Sequence, residues 1–466
     1  GYGMMLRVIY LMFFPELSDD FWRFLWDGLV LNSGISPYET LPIVLAESTH
    51  FAFADLLFQL NSPAYYSIYP PVLQSLFGLS AGASGGSSIG FVVVLRVLVL
   101  MAELGSMILI SKLLNAWKLN ARNLMLYAFN PLVIVEFAGN LHGEVFMVFF
   151  LLLSLWFLTE KRQLFSATAF GFAVGTKLLP LMFLPFFVKR FGWLKSTIYG
   201  AVVALVVVLL YMPFWTPELL QNTRDTLALY FAHFEFNGSV YYLIRGVGYW
   251  STGYNIIADT AVWLPRIVLV SIVAMAVLNR EKSESSLPKM IMFAWFFYYA
   301  LATTVNPWYV AVLAAFLPFV KYRFGLVWLM LVPLSYHAFG YVNYHENMLV
   351  IAIEYIPVYL WLFFELGLFK SLEKTWALKR AEVKRIRLMP FLVSDQSVLE
   401  VGSGNGALTK LLVNEGLKIS SLDIADKSLF DEVNPQVYDG KKFPQEDKRF
   451  DVCQMITMLH HTDNAE

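Results

Sequence analysis

Over most of the stretch 1–369, apolar positions follow one another in long unbroken runs rather than recurring at helical or strand spacing. Runs fall at about 89–112, 121–138, 144–160, 193–213, 257–279, 290–303, 308–320, 324–342 and 348–369. With the first run, Gly1–Phe14, they predict about ten membrane crossings, since about 20 apolar residues span a bilayer core. Leu164–Val188 is predicted to enter and return as a helical hairpin broken near Lys177 and Pro180. A single crossing would place Lys189, Arg190 and Lys195 opposite Lys161 and Arg162. From Ser397 the pattern changes: Ser397–Val401 reads as a buried strand, Gly402–Gly406 as a glycine-rich turn and Ala407–Asn414 as the helix it opens. The expected fold is a polytopic α-helical membrane part over 1–369, a basic juxtamembrane linker over 370–393 and an α/β part over 394–466.

Composition supports the division. Apolar residues make up 58% of the chain and charged residues 15%, whereas a soluble domain has about 45–50% and 25%. The stretch 1–369 holds 40 charges and the much shorter stretch 370–466 holds 29, which marks two solvents. Basic residues are also sorted by side. Twenty, including seven between Lys370 and Arg387, fall on one face of the predicted topology, against only Arg23, Arg224 and Arg245 on the other. The positive-inside rule makes the first face cytoplasmic and places the loops at about 15–88 and 214–256 outside. The expected location is therefore the inner or plasma membrane, multi-pass, with the C-terminal part in the cytoplasm. A net charge of −1 gives no support for nucleic-acid binding, and the single Cys453 forms no internal disulfide. Lys370–Arg387 with Trp376 suits a helix on an anionic inner leaflet.

The remaining polar residues gather at the outward ends of the predicted spans. They are Asp19-Asp20, Asn140 to Glu144, His233 to Asn237, Asn306 to Tyr309 and Asn343 to Asn347, and together they read as a polar site for a hydrophilic substrate. Asp19 to Gly28 reads as an amphipathic helix on the membrane surface, with Asp19-Asp20 as its cap in the plainest view. Arg23 either pairs with these acids or faces a phosphate. Lys177 lies inside an apolar run, where a charge is costly and usually marks a site or a pair. Arg96 and Glu103, seven apart on one helix, read as a structural pair.

Asp19-Asp20-Phe-Trp-Arg-Phe-Leu-Trp-Asp-Gly with Gly34 to Tyr38, Tyr69-Pro-Pro71, Asn130-Pro-Leu132, Gly139 to Glu144, Gly175 to Pro180, Phe236 to Val240 and Asn306-Pro-Trp-Tyr309 resemble membrane glycosyltransferases of the GT-C fold, closest to the bacterial mannosyltransferase-like branch. The resemblance implies a polyprenyl-phosphate sugar as donor, a saccharide or lipid acceptor, and Asp19 and Asp20 as the catalytic carboxylates. One of them would take the proton of the attacking hydroxyl, and the other would orient the acceptor or hold a metal; a divalent metal is left open. Arg23, His142, Glu144, Lys177 and Asn237 are candidate substrate contacts.

Val398-Leu-Glu-Val-Gly-Ser-Gly-Asn-Gly406, Ser421-Leu-Asp-Ile424, Tyr438-Asp-Gly440 and Phe450-Asp-Val452 ending in Leu459-His-His461 resemble class I methyltransferases, which have a Rossmann-like sheet. The glycine loop alone also fits a dinucleotide fingerprint. The resemblance implies S-adenosyl-L-methionine as cofactor, with Glu400, Gly402, Ser403, Gly404, Asn405 and Gly406 at its methionine and ribose end, Asp423 on the ribose hydroxyls and Asp439 beside the adenine. No chemistry is assigned to His460 and His461. With Gly at position 1 and an end just after the fourth strand of this domain, where such domains continue with further strands, the expectation is a sequence cut at both ends.

The function expected is therefore bifunctional: hexosyl, foremost mannosyl, transfer on the outer face, joined to a cytoplasmic methyltransferase. Two alternatives differ in kind: a methyltransferase merely anchored by a non-catalytic membrane part, or a transporter of lipid-linked saccharides.

Overall fold

The computed structural model describes residues 2–47, 53–340, 344–440, 442–444 and 449–456, apart from the side chains of 229–233. His460, His461 and Asn343 lie outside the described residues, as does the side chain of His233. The chain divides into two compact units, residues 1–359 and 360–466.

Helices dominate the first unit. Those that carry the argument are α1 (Asp20–Asn32), α2 (Pro71–Ala83), α3 (Ser88–Ala116), α4 (Glu144–Thr159), α5 (Gln163–Thr176), α6 (Trp193–Tyr211), α7 (Ile257–Leu278) and α8 (Met348–Glu365), the last running across the division. Among the described residues four helices are long and apolar enough to cross a membrane: Ser88–Ala116, Trp193–Phe214, Ile257–Leu278 and Met348–Glu365. A fifth is counted if Pro131–Gly139 and Glu144–Thr159, bent by 114°, form one broken span. The expected ten crossings are thus not found. Hydropathy sums do not register where the backbone ladder breaks. Pro131 opens a short helix that turns π-helical over Ile134–Gly139, and Pro307, Pro318 and Pro333 each sit in the first turn of a short helical piece. Proline lacks the N–H that an interior helical position must donate. The unbroken helix Leu287–Leu301 has 15 residues, or about 22 Å at 1.5 Å per residue, against about 30 Å of hydrocarbon.

The predicted hairpin does break where expected. Helix α5 ends at Thr176, Lys177 is extended at φ −156° and ψ 135°, and Leu179–Phe183 continues as a 3-10 turn.

Two local expectations are corrected. Helix α1 does not lie on a surface with one free face: Phe21, Phe24, Leu25, Trp26, Leu29 and Val30 are all buried together with Arg23 and Asp27. It is pressed against α2 so closely that a Cβ on Gly28 would collide with the Phe77 carbonyl, with Ala81 Cβ also only 3.0 Å away. Phe24 stacks on Phe77 at 4.6 Å across this contact. Arg96 and Glu103 are not partners either. Glu103 binds Arg7 at 2.5 Å and accepts from Tyr127, while Arg96 donates to the carbonyls of Tyr10, Phe13, Ala138 and Gly139. Each buried guanidinium or carboxylate is matched by groups brought in from distant segments, as buried charge requires.

In the second unit α9 (Lys370–Leu388) precedes β1 (Ser397–Val401), α10 (Ala407–Asn414), β2 (Lys418–Asp423), β3 (Gln436–Val437) and β4 (Val452–Met455). The described strands are all parallel, in the order β3-β2-β1-β4. Val398 lies opposite Ile419 on one side and Val452 on the other, and Val398, Leu399 and Val401 are buried, as a central strand covered on both faces demands. Ala377 and Ala381 of α9 join Val398, Leu408, Leu412 and Phe430 in one core. The region expected as a linker therefore contributes a helix to this core.

Candidate active site

Asp19 and Asp20 begin α1, yet they are not equivalent. Asp19 occupies the cap position without a side-chain capping bond and is exposed, so its carboxylate is not consumed by helix initiation. Asp20 stands in the first turn and accepts a 2.8 Å hydrogen bond from the Asn61 amide. Asp20 as a residue is half-buried, and its carboxyl is pushed up to about 6. Desolvation is the largest cause; the Asn61 bond opposes it, the Glu144 and Asp19 carboxylates add to it and the Lys177 ammonium draws it back. The helix N-terminus favours the ionised form by only about 0.3–1 kcal/mol, too little to cancel the desolvation.

The charges that reach Asp20 come from two other elements. Glu144 opens α4 and Lys177 follows the end of α5, and the two form an ion pair. The Lys177 ammonium also lies 3.7 Å above the Tyr309 ring, a cation–π contact that holds it in place. Tyr69, beside α2, lies within electrostatic reach of Asp20, Arg23, Asp27 and Tyr309. Asp20, Glu144 and Lys177 are thus brought together from three separate stretches of sequence.

Arg23 faces inward. It donates to Asp27 at 2.8 Å, to the carbonyl and hydroxyl of Ser62 at 2.8 and 3.1 Å and to the Tyr65 carbonyl at 3.1 Å. Asp27 is completed by Ser67 and by Gln74 at 2.9 Å. This network ties the loop that carries Asn61 to the helix that carries Asp20.

His142 is buried, stacked on Trp308 at 3.9 Å and 13°. Its Nε2 is 3.4 Å from Glu136 but has no hydrogen-bond partner among the described residues, while Glu136 accepts from Asn140 and Tyr336 at 3.1 and 2.7 Å. Asn237 is gathered elsewhere. At φ 52° its backbone N–H donates to Glu346, its amide to both oxygens of Glu354 at 3.2 and 3.1 Å, and Tyr355 donates to its carbonyl. Sequence reasoning missed Asn61 and Ser67, which lie in a loop without periodicity, and the network that joins Ser67 to Asp27 of α1 and Gln74 of α2. It also did not pair Lys177 with Tyr309, although the Asn306-Pro-Trp-Tyr run was singled out. No three His, Cys, Asp or Glu side chains converge as a metal site among the described residues.

In the second unit the loop after β1 is shaped by three glycines in the left-handed region, Gly402, Gly404 and Gly406, at φ 79°, 55° and 73°. Only glycine adopts this at little cost. A Cβ on Gly404 would meet open space, whereas one on Gly406 would strike Ser428 and Val433. The loop is pinned by Asp423, whose carboxylate accepts from the Gly404 amide at 2.7 Å. Asn405 accepts from Ala407 at 3.2 Å. Glu400 is buried and accepts from Thr409; burial raises its carboxyl. Ser403 Oγ is buried with no partner among the described residues, the kind of orphaned group that a bound ligand satisfies. Asp439 is exposed, two residues beyond β3, and accepts from Lys442. The open side of Gly404 and the orphaned Ser403 hydroxyl fit a small polar ligand lying on this loop.

Comparison with known families agrees with both halves. The family model described as "Alpha-(1->6)-mannopyranosyltransferase, N-terminal domain" matches residues 8–192, which include Asp19, Asp20, Arg23, His142, Glu144 and Lys177 but not Asn237. One described as "Methyltransferase domain" matches residues 399–466, and such a domain uses S-adenosylmethionine. No curated protein and no solved structure matches the chain. The chain therefore carries an alpha-(1->6)-mannopyranosyltransferase N-terminal domain and a methyltransferase domain, and is a bifunctional, membrane-associated enzyme with glycosyltransferase and methyltransferase activity.

Proposed function

We propose that the part spanning 1–369 transfers a mannosyl group from a polyprenyl-phosphate sugar to a saccharide or lipid hydroxyl on the outer face, with Asp20 as general base. The methyltransferase domain then works on the cytoplasmic side. The observation that carries this reading is the carboxyl of half-buried Asp20, raised to about 6 and held by Asn61 beside the Glu144–Lys177 pair. A base raised toward neutrality is both ionised and basic enough to take a proton at working pH. As the acceptor oxygen bonds to the anomeric carbon, its proton passes to Asp20, the bond from that carbon to the phosphate oxygen breaks, and the lipid phosphate leaves. The Lys177 ammonium is the cation that offsets the charge gathering on this phosphate, and Glu144 and Tyr309 hold it in place. Asp19 orients the acceptor. Arg23, His142 and Asn237, all buried, act by positioning.

In the other half, S-adenosylmethionine supplies an electrophilic methyl group when bound. The chain's part is to hold it: Glu400 and the Gly402–Gly406 loop with the Ser403 hydroxyl at the methionine end, Asp423 at the ribose while bracing Gly404, and Asp439 at the adenine. Transfer from polyprenyl-phosphate mannose in proteoliposomes tests the first half. Asp20→Asn is expected to lose about 100-fold or more, with Asp19→Asn losing less and cofactor binding intact in both. Unchanged transfer in Asp20→Asn would defeat the assignment.

A further inference from the structure

Helix α9 has two faces. Ala377 and Ala381 pack into the core of the methyltransferase domain, with Leu378, Leu388 and Met389 beside them. On the far side Leu372, Trp376, Val383 and Ile386 are exposed by 61%, 64%, 53% and 60%. Their spacing of four, seven and three residues puts them in one stripe about 80° wide at about 100° per residue. Lys379, Arg380 and Arg387 fall within or beside the stripe, and the Arg380 guanidinium lies 5.5 Å over the Trp376 ring. By contrast Arg385, on the inner side, is taken up by Glu382 and Glu415.

We propose that this outer stripe is a membrane-docking surface for an anionic bilayer, so that one helix is at once part of the methyltransferase fold and its seat on the lipid. Two observations choose the occupant. The first is charge: Lys370 to Arg387 carries seven basic and two acidic residues, which draws the helix to anionic headgroups while its apolar stripe enters the interface. The second is continuity. The apolar helix α8 ends at Glu365 and α9 starts at Lys370, a connection that reaches at most about 18 Å. The stripe therefore begins at the membrane surface, and its Trp376 is the residue type favoured there. The inference rests on the reading of α8 as a membrane span.

The test uses the full chain in nanodiscs, in a Cys453→Ser background so that one introduced cysteine carries a lipid-sensitive fluorophore. The label is placed at Ile386→Cys, or at Lys418→Cys as a control on an exposed strand residue. In nanodiscs with about one-third phosphatidylglycerol and headgroup-level quenching lipids, the label at 386 is expected to be quenched at least threefold more than at 418. Pure phosphatidylcholine, or the triple variant Lys379→Glu, Arg380→Glu, Arg387→Glu, is expected to abolish most of that difference. Equal quenching at the two positions would overturn the proposal. So would a label at 386 that is shielded without lipid quenching, which would mean a protein partner. An unchanged thermal melting transition shows that the charge-reversed variant is folded. The readout involves neither transfer reaction, so failure of the proposed activities leaves it interpretable.

Discussion

Asp20 meets Asn61, Glu144 and Lys177 only because four distant stretches of chain fold onto one another. Glu400, Gly402–Gly406 and Asp423, by contrast, all belong to one β1-α10-β2 unit and its connecting turns. In the first region the proposed reactivity is a property of packing: burial raises the proton affinity of Asp20 and an ion pair with Glu144 fixes the Lys177 ammonium. In the second it is a property of local backbone, where three left-handed glycines and one carboxylate shape the loop. Damage to the first should therefore spread from remote positions, while damage to the second should stay local.

The largest effect expected from breaking this contrast is Asp20→Asn, with its loss of about 100-fold or more in mannosyl transfer and cofactor affinity unchanged by equilibrium titration. The same variant should not lose stability. Because folding raises this carboxyl from 3.8 to about 6, its stabilising contribution is fully present below 3.8 and is lost as pH rises through about 6. Removing the charge is thus neutral or stabilising at pH 7, as a melting curve will show. Next, Asp423→Ala removes the brace on Gly404 and is expected to weaken S-adenosylmethionine binding by about tenfold or more, since a hydrogen bond to a charged group contributes about 1.5–3 kcal/mol. Transfer should be unaffected; a loss of both would mean that the two regions are not independent.

Gly28→Ala probes the remote sensitivity of the first region. The added Cβ meets the Phe77 carbonyl, so α1 must shift from α2, at about 1–3 kcal/mol for overpacking. A fall in melting temperature accompanied by slower transfer is expected, although Gly28 lies two turns from Asp20 at the packed α1–α2 contact. The smallest effect is Asn61→Ala. Loss of a bond that favours the ionised carboxylate moves the acid limb of the transfer profile upward by a fraction of a pH unit, with the plateau rate little changed.

The same contrast explains what the sequence disclosed. Val398–Gly406 and Asp423 were legible because turn, strand and helix follow one another within a few residues. The long spans were legible too, since Ser88–Ala116 contains no proline or break. The shorter runs were misread because hydropathy does not register Pro131, Pro307 or Pro333. Arg96 and Glu103 were paired by helical spacing, whereas the true partner of Glu103, Arg7, lies 96 residues away. Asn61 had no signal at all: nothing local tells an amide that binds a carboxylate from one that faces solvent. Asp19 and Asp20 were named together, and it is their unequal burial and the Asn61 bond to Asp20 that separate them.

The central claim is that Asp20 is the base of mannosyl transfer. The pH dependence of kcat/KM tests it most directly, compared between the native chain and Asp20→Asn in proteoliposomes. Activity in the native chain should rise with pH along a limb centred near 6, and that limb should vanish from the residual activity of Asp20→Asn. A limb that persists unchanged in Asp20→Asn would contradict the account.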